Sequence, residues 1–108
     1  MSKKLQPEDY NGWMVIWHEG WVWNETYAKR TYLNGKDEYD ACIHCGRKTS
    51  SKGEALGVLI GEGGGAIIRP EDYDTYPHEG GEMGWYPVGR ECIKDIPSAY
   101  RVPDPLRR

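Results

Sequence analysis

Three cysteines are the residues of this 108-residue chain best equipped for chemistry: Cys42 and Cys45 in Cys-Ile-His-Cys-Gly-Arg, and Cys92 in Tyr-Pro-Val-Gly-Arg-Glu-Cys. A Cys-x2-Cys pair followed at once by glycine has the form of a zinc knuckle, in which two thiolates chelate one ion from a tight turn. Gly46 can adopt the backbone angles that let such a turn wrap its sulfurs. Cys92 comes 47 positions after Cys45, behind a Pro/Gly turn, and is placed to close the site from a second element. A helical turn over 92–96, stopped by Pro97, would put its sulfur at a helix start, where partial positive charge favours a thiolate.

Structural zinc takes four ligands from Cys and His, so Zn2+ is the expected cofactor and one ligand remains to be found. His78, 14 residues before Cys92 in a turn-rich segment, is the expected fourth ligand. His18, a carboxylate such as Asp40 or Glu91, or a water are the alternatives. His44, between the knuckle cysteines, is expected to point away from the ion. A water in the fourth position would give a Lewis-acid zinc and open a hydrolase reading. The rival readings are unrelated buried thiols and a thioredoxin-type redox pair. Against the redox pair, Cys42 follows the charged run Gly35-Lys-Asp-Glu-Tyr-Asp-Ala instead of a buried strand, and Cys92 would be left idle.

These residues must be held by a small framework. The length predicts a single domain over 1–108 that buries roughly 65% of its unfolded surface. The chain has five Trp and eight Tyr but no Phe, and 14 Gly with seven Pro, so the expected core is Trp and aliphatic with many turns and short elements. The net charge of −3 lacks the basic surplus of a general phosphate-backbone binder. The start, Met1-Ser-Lys-Lys-Leu-Gln-Pro, does not read as an export signal, the longest apolar stretch is too short to span a bilayer, and the odd cysteine count favours a reducing compartment. The expectation is a cytoplasmic protein with no membrane contact.

The pattern predicts a strand at Trp13–Trp17, a turn at 18–20, a returning strand at Trp21–Trp23, and a helix capped by Asn24 over Glu25–Leu33, with an extended alternative for Thr26–Leu33. Leu56–Ile60 and Ala66–Ile68 around the Gly-rich 61–65 read as a hairpin, Met83–Tyr86 as a last strand, and residues 1–10 and 98–108 as extended or loose. Residues 36–40 read as a charged loop. The fold class is α+β: short antiparallel strands, a zinc knuckle and one or two short helices, treble-clef-like or zinc-ribbon-like. The expected core runs from Leu56 to Ile68 with Trp85 and Ile93.

The pairing of Cys42-x2-Cys45-Gly-Arg with Tyr86-Pro-Val-Gly-x-x-Cys92 resembles that of small zinc-binding proteins of bacteriophages. The resemblance covers about residues 42–100 and leaves the Trp-rich first forty residues outside. It implies a zinc site on Cys42, Cys45 and Cys92, and it implies no activity.

No catalytic signature is present: no nucleophile triad, no His-Glu-x-x-His, and no zinc-deaminase pattern. The Gly61–Gly65 run holds a Glu and is followed by a strand, so it reads as a hairpin tip and not a phosphate loop. The expected function is a non-enzymatic, zinc-stabilised protein-interaction module, such as a phage factor acting on a host protein. Its candidate contact residues are Trp13, Trp17, Trp21 and Trp23, or Asp72 and Asp74 in the acidic stretch from Glu71 to Glu82. The alternative is a nucleic-acid-binding zinc module using Arg47, Lys48 and Lys52.

Overall fold

The apolar runs of the sequence become a mainly antiparallel sheet whose two faces are both covered. A computed structural model describes residues 5–31, 41–49, 56–77 and 83–105. Within these, β1 is Glu8–Tyr10, β2 Trp13–Trp17, β3 Leu56–Gly61, β4 Ala66–Ile68, β5 Gly84–Val88 and β6 Val102–Pro103, with one α-helix, α1, at Glu25–Arg30. The sheet runs β1-β2-β4-β3-β5, all pairs antiparallel, and β6 adds to β3. Strand alternation assigns the side chains. Ile16, Val58, Ile60 and Ile67 join the larger cluster with Cys42, Ile43, Ile93 and Ile96. Val15, Leu59 and Ile68 join a second cluster with Tyr76, against which Trp13, Trp17 and Trp85 pack. Unbroken apolar runs are what strands buried on both faces require.

The predicted hairpin forms with Leu59 opposite Ile68 and Gly61 opposite Ala66. Asn24 caps α1 by accepting from the Tyr27 N–H (3.0 Å), and the helix reading prevails over the extended one through Arg30. Pro87 and Val88, expected in a turn, belong to β5.

One expectation is corrected, and the two ends read as extended or loose gain definite partners. Trp21–Trp23 is not a strand, because Glu19, Gly20 and Trp23 all have positive φ (50°, 87° and 49°) and the chain turns away after β2. β2 pairs instead with β1 and β4. In the N-terminal segment, Glu8–Tyr10 is a strand, and Leu5 is buried, its N–H donating to the Asp95 carbonyl (3.4 Å). The tail is docked as far as residue 105, since Tyr100 is buried with its hydroxyl on the Met14 carbonyl (2.7 Å), and Val102 pairs with Gly57 on β3. The expected charged loop at 36–40 lies outside the described residues. Among the described residues no helix is long and apolar enough to cross a membrane.

Candidate metal centre

The knuckle is built by short-range backbone bonds. The Cys42 N–H donates to the Arg47 carbonyl (2.7 Å), the Gly46 N–H donates to the Cys42 carbonyl (2.8 Å), and Ala41 bridges to Lys48. Gly46 has φ +76°, the left-handed conformation that glycine alone takes without strain. A Cβ there would stand 2.8 Å from Arg30 Cβ and 3.1 Å from the Tyr27 carbonyl, so the knuckle lies directly against α1. Arg30 Nη1 donates to the Cys45 carbonyl (2.9 Å) and fastens the same contact.

The rest of the fold anchors the knuckle from both sides. The Ile43 N–H donates to the Pro87 carbonyl on β5 (3.0 Å), and the Trp23 N–H donates to the Ile43 carbonyl (2.7 Å). Cys92 opens a 3-10 turn, Cys92–Asp95, stitched by Ile93 N–H to the Gly89 carbonyl (2.9 Å). These supports bring the thiols of Cys42, Cys45 and Cys92 together, with all three sulfurs within 4.8 Å of one another. That is close enough for one metal ion to be held between them. Cys42 is fully buried, while Cys45 and Cys92 are half-buried.

Burial pushes the Cys42 thiol up, partly offset by the backbone N–H groups of Cys45, Gly89 and His44 directed at its sulfur. Burial also pushes Cys92 up, and its two sulfur neighbours add to the rise. Cys45 is also raised by burial, but the Arg47 N–H, hydrogen bonds with the other two thiols and the Arg30 charge together bring it below its ordinary value. Three crowded sulfurs cannot all be thiolates without a compensating cation, because each negative charge disfavours the next. A divalent ion would supply that compensation.

The other expected ligands fall elsewhere. His18 accepts at Nδ1 from the Gly20 N–H (3.2 Å), while its Nε2 bonds the Gly64 carbonyl and pins β2 to the hairpin tip. His44 stacks on Trp21 with ring centroids 4.2 Å apart, its Nδ1 on the Trp21 carbonyl (2.7 Å). Glu91 is ion-paired with Lys94 (2.9 Å). Among the described residues, no histidine or carboxylate joins the three sulfurs. His78 and Asp40 lie outside the described residues.

The candidate contact residues divide. Trp23 is 37% exposed, whereas Trp21 is buried and gives its indole N–H to Asp95 Oδ2 (3.3 Å). Trp13 and Trp17 are half-buried, held edge-to-face by Tyr76 and Tyr10. Asp74 is exposed, but Asp72 is 8% exposed and ion-paired with Arg69 (2.9 Å). Arg47 and Lys48 are exposed beside the knuckle, and Lys52 lies outside the described residues. Arg30 was not singled out by sequence; the glycine directly after Cys45 was the one local hint that another element packs tightly there. No family model, no curated protein and no solved structure matches this chain.

Proposed function

We propose that the chain is a zinc-stabilised protein-interaction module without catalytic activity. The observation that carries the metal is the convergence, within 4.8 Å, of sulfurs from the knuckle and from a turn 47 positions later. A redox pair would need two of these thiols; the third lies in the same cluster. Thiolate sets of this kind suit soft or borderline ions, of which zinc is the structural choice. A turn-borne Cys-x2-Cys facing a cysteine at the start of a helical turn is treble-clef-like, and His78 is the fourth ligand the sequence favours.

Metal in this corner ties residues 41–49 to β5 and to the 92–95 turn. It thereby fixes the adjacent tryptophan-bearing turn as a presentation surface. The resemblance to small bacteriophage proteins extends the reading to a factor that acts on a host protein. The test is elemental analysis of the purified protein with cobalt substitution. One zinc per chain is expected, with cobalt absorption bands of sulfur-rich tetrahedral ligation that change in His78→Ala. A metal-free sample that is equally well folded in excess chelator overturns the reading.

A further inference from the structure

The tetrapeptide Pro-Glu-Asp-Tyr occurs twice in this chain, at 7–10 and at 70–73. The two copies differ in backbone: the first runs into β1, whereas Pro70–Asp72 of the second is a 3-10 turn. They nevertheless present their tyrosines alike. Tyr10 is 36% exposed and meets Trp17 edge-to-face at 5.1 Å, and Tyr73 is 38% exposed and meets Trp85 at 5.0 Å. Both tryptophans pack on the same cluster, that of Val15, Leu59, Ala66, Ile68 and Tyr76. Local secondary structure does not explain what the copies share, which is an outward ring on one face of the sheet.

That face is only partly closed. Tyr76 covers its centre, 5.3 Å from Trp13 and with its hydroxyl on Glu62, while Trp13, Trp17, Met83 and Trp85 are half-buried around it. Tyrosine, tryptophan and methionine are the side chains enriched where proteins bind one another. Charge is divided in the same sense. The segments framing this face, 5–10, 62–65 and 69–77, carry six acids and a single base, Arg69, which is spent on Asp72 (2.9 Å) and Glu71 (3.6 Å). Glu8, opposite Val15, and Asp74 are exposed. Most described bases lie elsewhere: Lys29 and Arg30 on α1, Arg47 and Lys48 on the knuckle, Arg90 and Lys94 about the 92–95 turn.

We propose that this aromatic face docks a basic, lysine- or arginine-bearing segment of a partner protein. Ring faces attract ammonium and guanidinium groups, and the alkyl stems of the same side chains cover apolar ring surface. The acidic frame adds attraction at longer range, whereas nucleic acid would meet like charge. The inference rests on the interaction-module reading and names its partner chemistry. It does not rest on the metal corner, because Cys42, Cys45 and Cys92 belong to the other cluster, across the sheet.

The test is an NMR titration of the full chain with the peptide acetyl-Lys-Leu-Lys-Gly-Lys-Leu-Lys-amide, followed at the tryptophan indoles. Saturable shifts are expected at Trp13, Trp17 and Trp85, with Trp21, buried in the other cluster, as the unmoved reference. The same peptide with glutamine for lysine should bind at least about tenfold more weakly. Tyr10→Ala/Tyr73→Ala should lose about tenfold or more in affinity. Glu8→Gln/Asp74→Asn, which leaves the rings in place, should lose about threefold to tenfold and flatten the salt dependence, with the melting temperature unchanged. Equal binding of the glutamine peptide, shifts that reach Trp21 as strongly, or wild-type affinity in both double variants overturns the proposal. A zinc-loaded protein that ignores the lysine peptide removes this face and leaves the metal reading standing; a folded, metal-free protein that binds it does the reverse.

Discussion

Gly46 offers the sharpest perturbation, because its two costs can be separated. In Gly46→Ala the new side chain must occupy φ +76°, at about 1–2 kcal/mol for a left-handed non-glycine residue. Its Cβ must also fit 2.8 Å from Arg30 Cβ and 3.1–3.2 Å from the Tyr27 backbone. Arg30 Cβ and the Tyr27 main chain are part of α1 and cannot swing aside as a side-chain tip would, so overpacking adds about 1–3 kcal/mol. The sum is about 2–5 kcal/mol. Gly20→Ala is the matched control: its φ is +87°, but nothing lies within 4 Å of the added Cβ, so only the first cost applies.

The melting temperatures of the two metal-loaded variants should therefore differ by roughly 5–20 °C, with Gly46→Ala the lower. Zinc affinity, measured by chelator competition, should separate them too. The overlap with α1 would strain the turn that holds Cys45, and a knuckle that loosens without metal would relieve it. Gly46→Ala should lose roughly tenfold to a hundredfold in affinity, and Gly20→Ala little. Equal losses of stability and equal zinc affinity in the two variants would refute the claim that α1 buttresses the knuckle.

Three further outcomes are expected. Tyr76 donates its hydroxyl to Glu62, and burial followed by that bond raises its pKa above the ordinary phenol value. Its stabilising contribution is thus complete below pH ~10 and is lost as pH climbs further. Tyr76→Phe should cost about 1 kcal/mol at neutral pH in denaturant unfolding, and the gap should close in alkaline solution. His18→Ala should loosen the β2–β4 connection by about 1 kcal/mol while zinc affinity stays unchanged; a weakened metal site would restore His18 as a ligand. Chelation of the metal should expose the amides of Ile43 and Trp23 to hydrogen exchange before those of Leu59, Ile60 and Ile67, and simultaneous exchange would show that no separate metal corner exists.

What could be read in the sequence was what local chemistry dictates. The knuckle follows from two cysteines and a glycine within five positions, the cap of α1 from Asn24, and the hairpin from two apolar runs around a glycine-rich tip. The pieces that escaped are set by distant partners. Glu8–Tyr10 is polar and exposed, so no periodicity marks it as a strand; its pairing with β2 does. Val102 and Pro103 form a strand because β3 has backbone to offer beyond β4. Trp21-Val-Trp has strand composition, yet the preceding Glu19-Gly20 turn and the hydrogen bonds to Ile43 and Asp95 turn it away from β2. Arg30 belongs to the cysteine corner only through the approach of α1, which no local pattern marks.

The cysteine corner and the tryptophan turn, which looked like separate halves of the chain, meet as one structure. Ile43 supplies the junction: its N–H is held by β5, its carbonyl holds Trp23, and its side chain is buried in the larger cluster. His44, the next residue, turns outward to stack on Trp21, while Cys42 and Cys45 on either side turn toward Cys92. Neighbouring residues of one short turn therefore face the sulfur cluster, the core and Trp21. An ion bound by the sulfurs would fix the turn that also carries His44, so its occupancy would set how His44 meets Trp21. The sheet beneath needs no such help, since β3 and β4 are buried on both faces by their own aliphatic side chains. A bound ion would therefore matter more for the placement of this corner than for the framework, whose strands are packed by their own side chains.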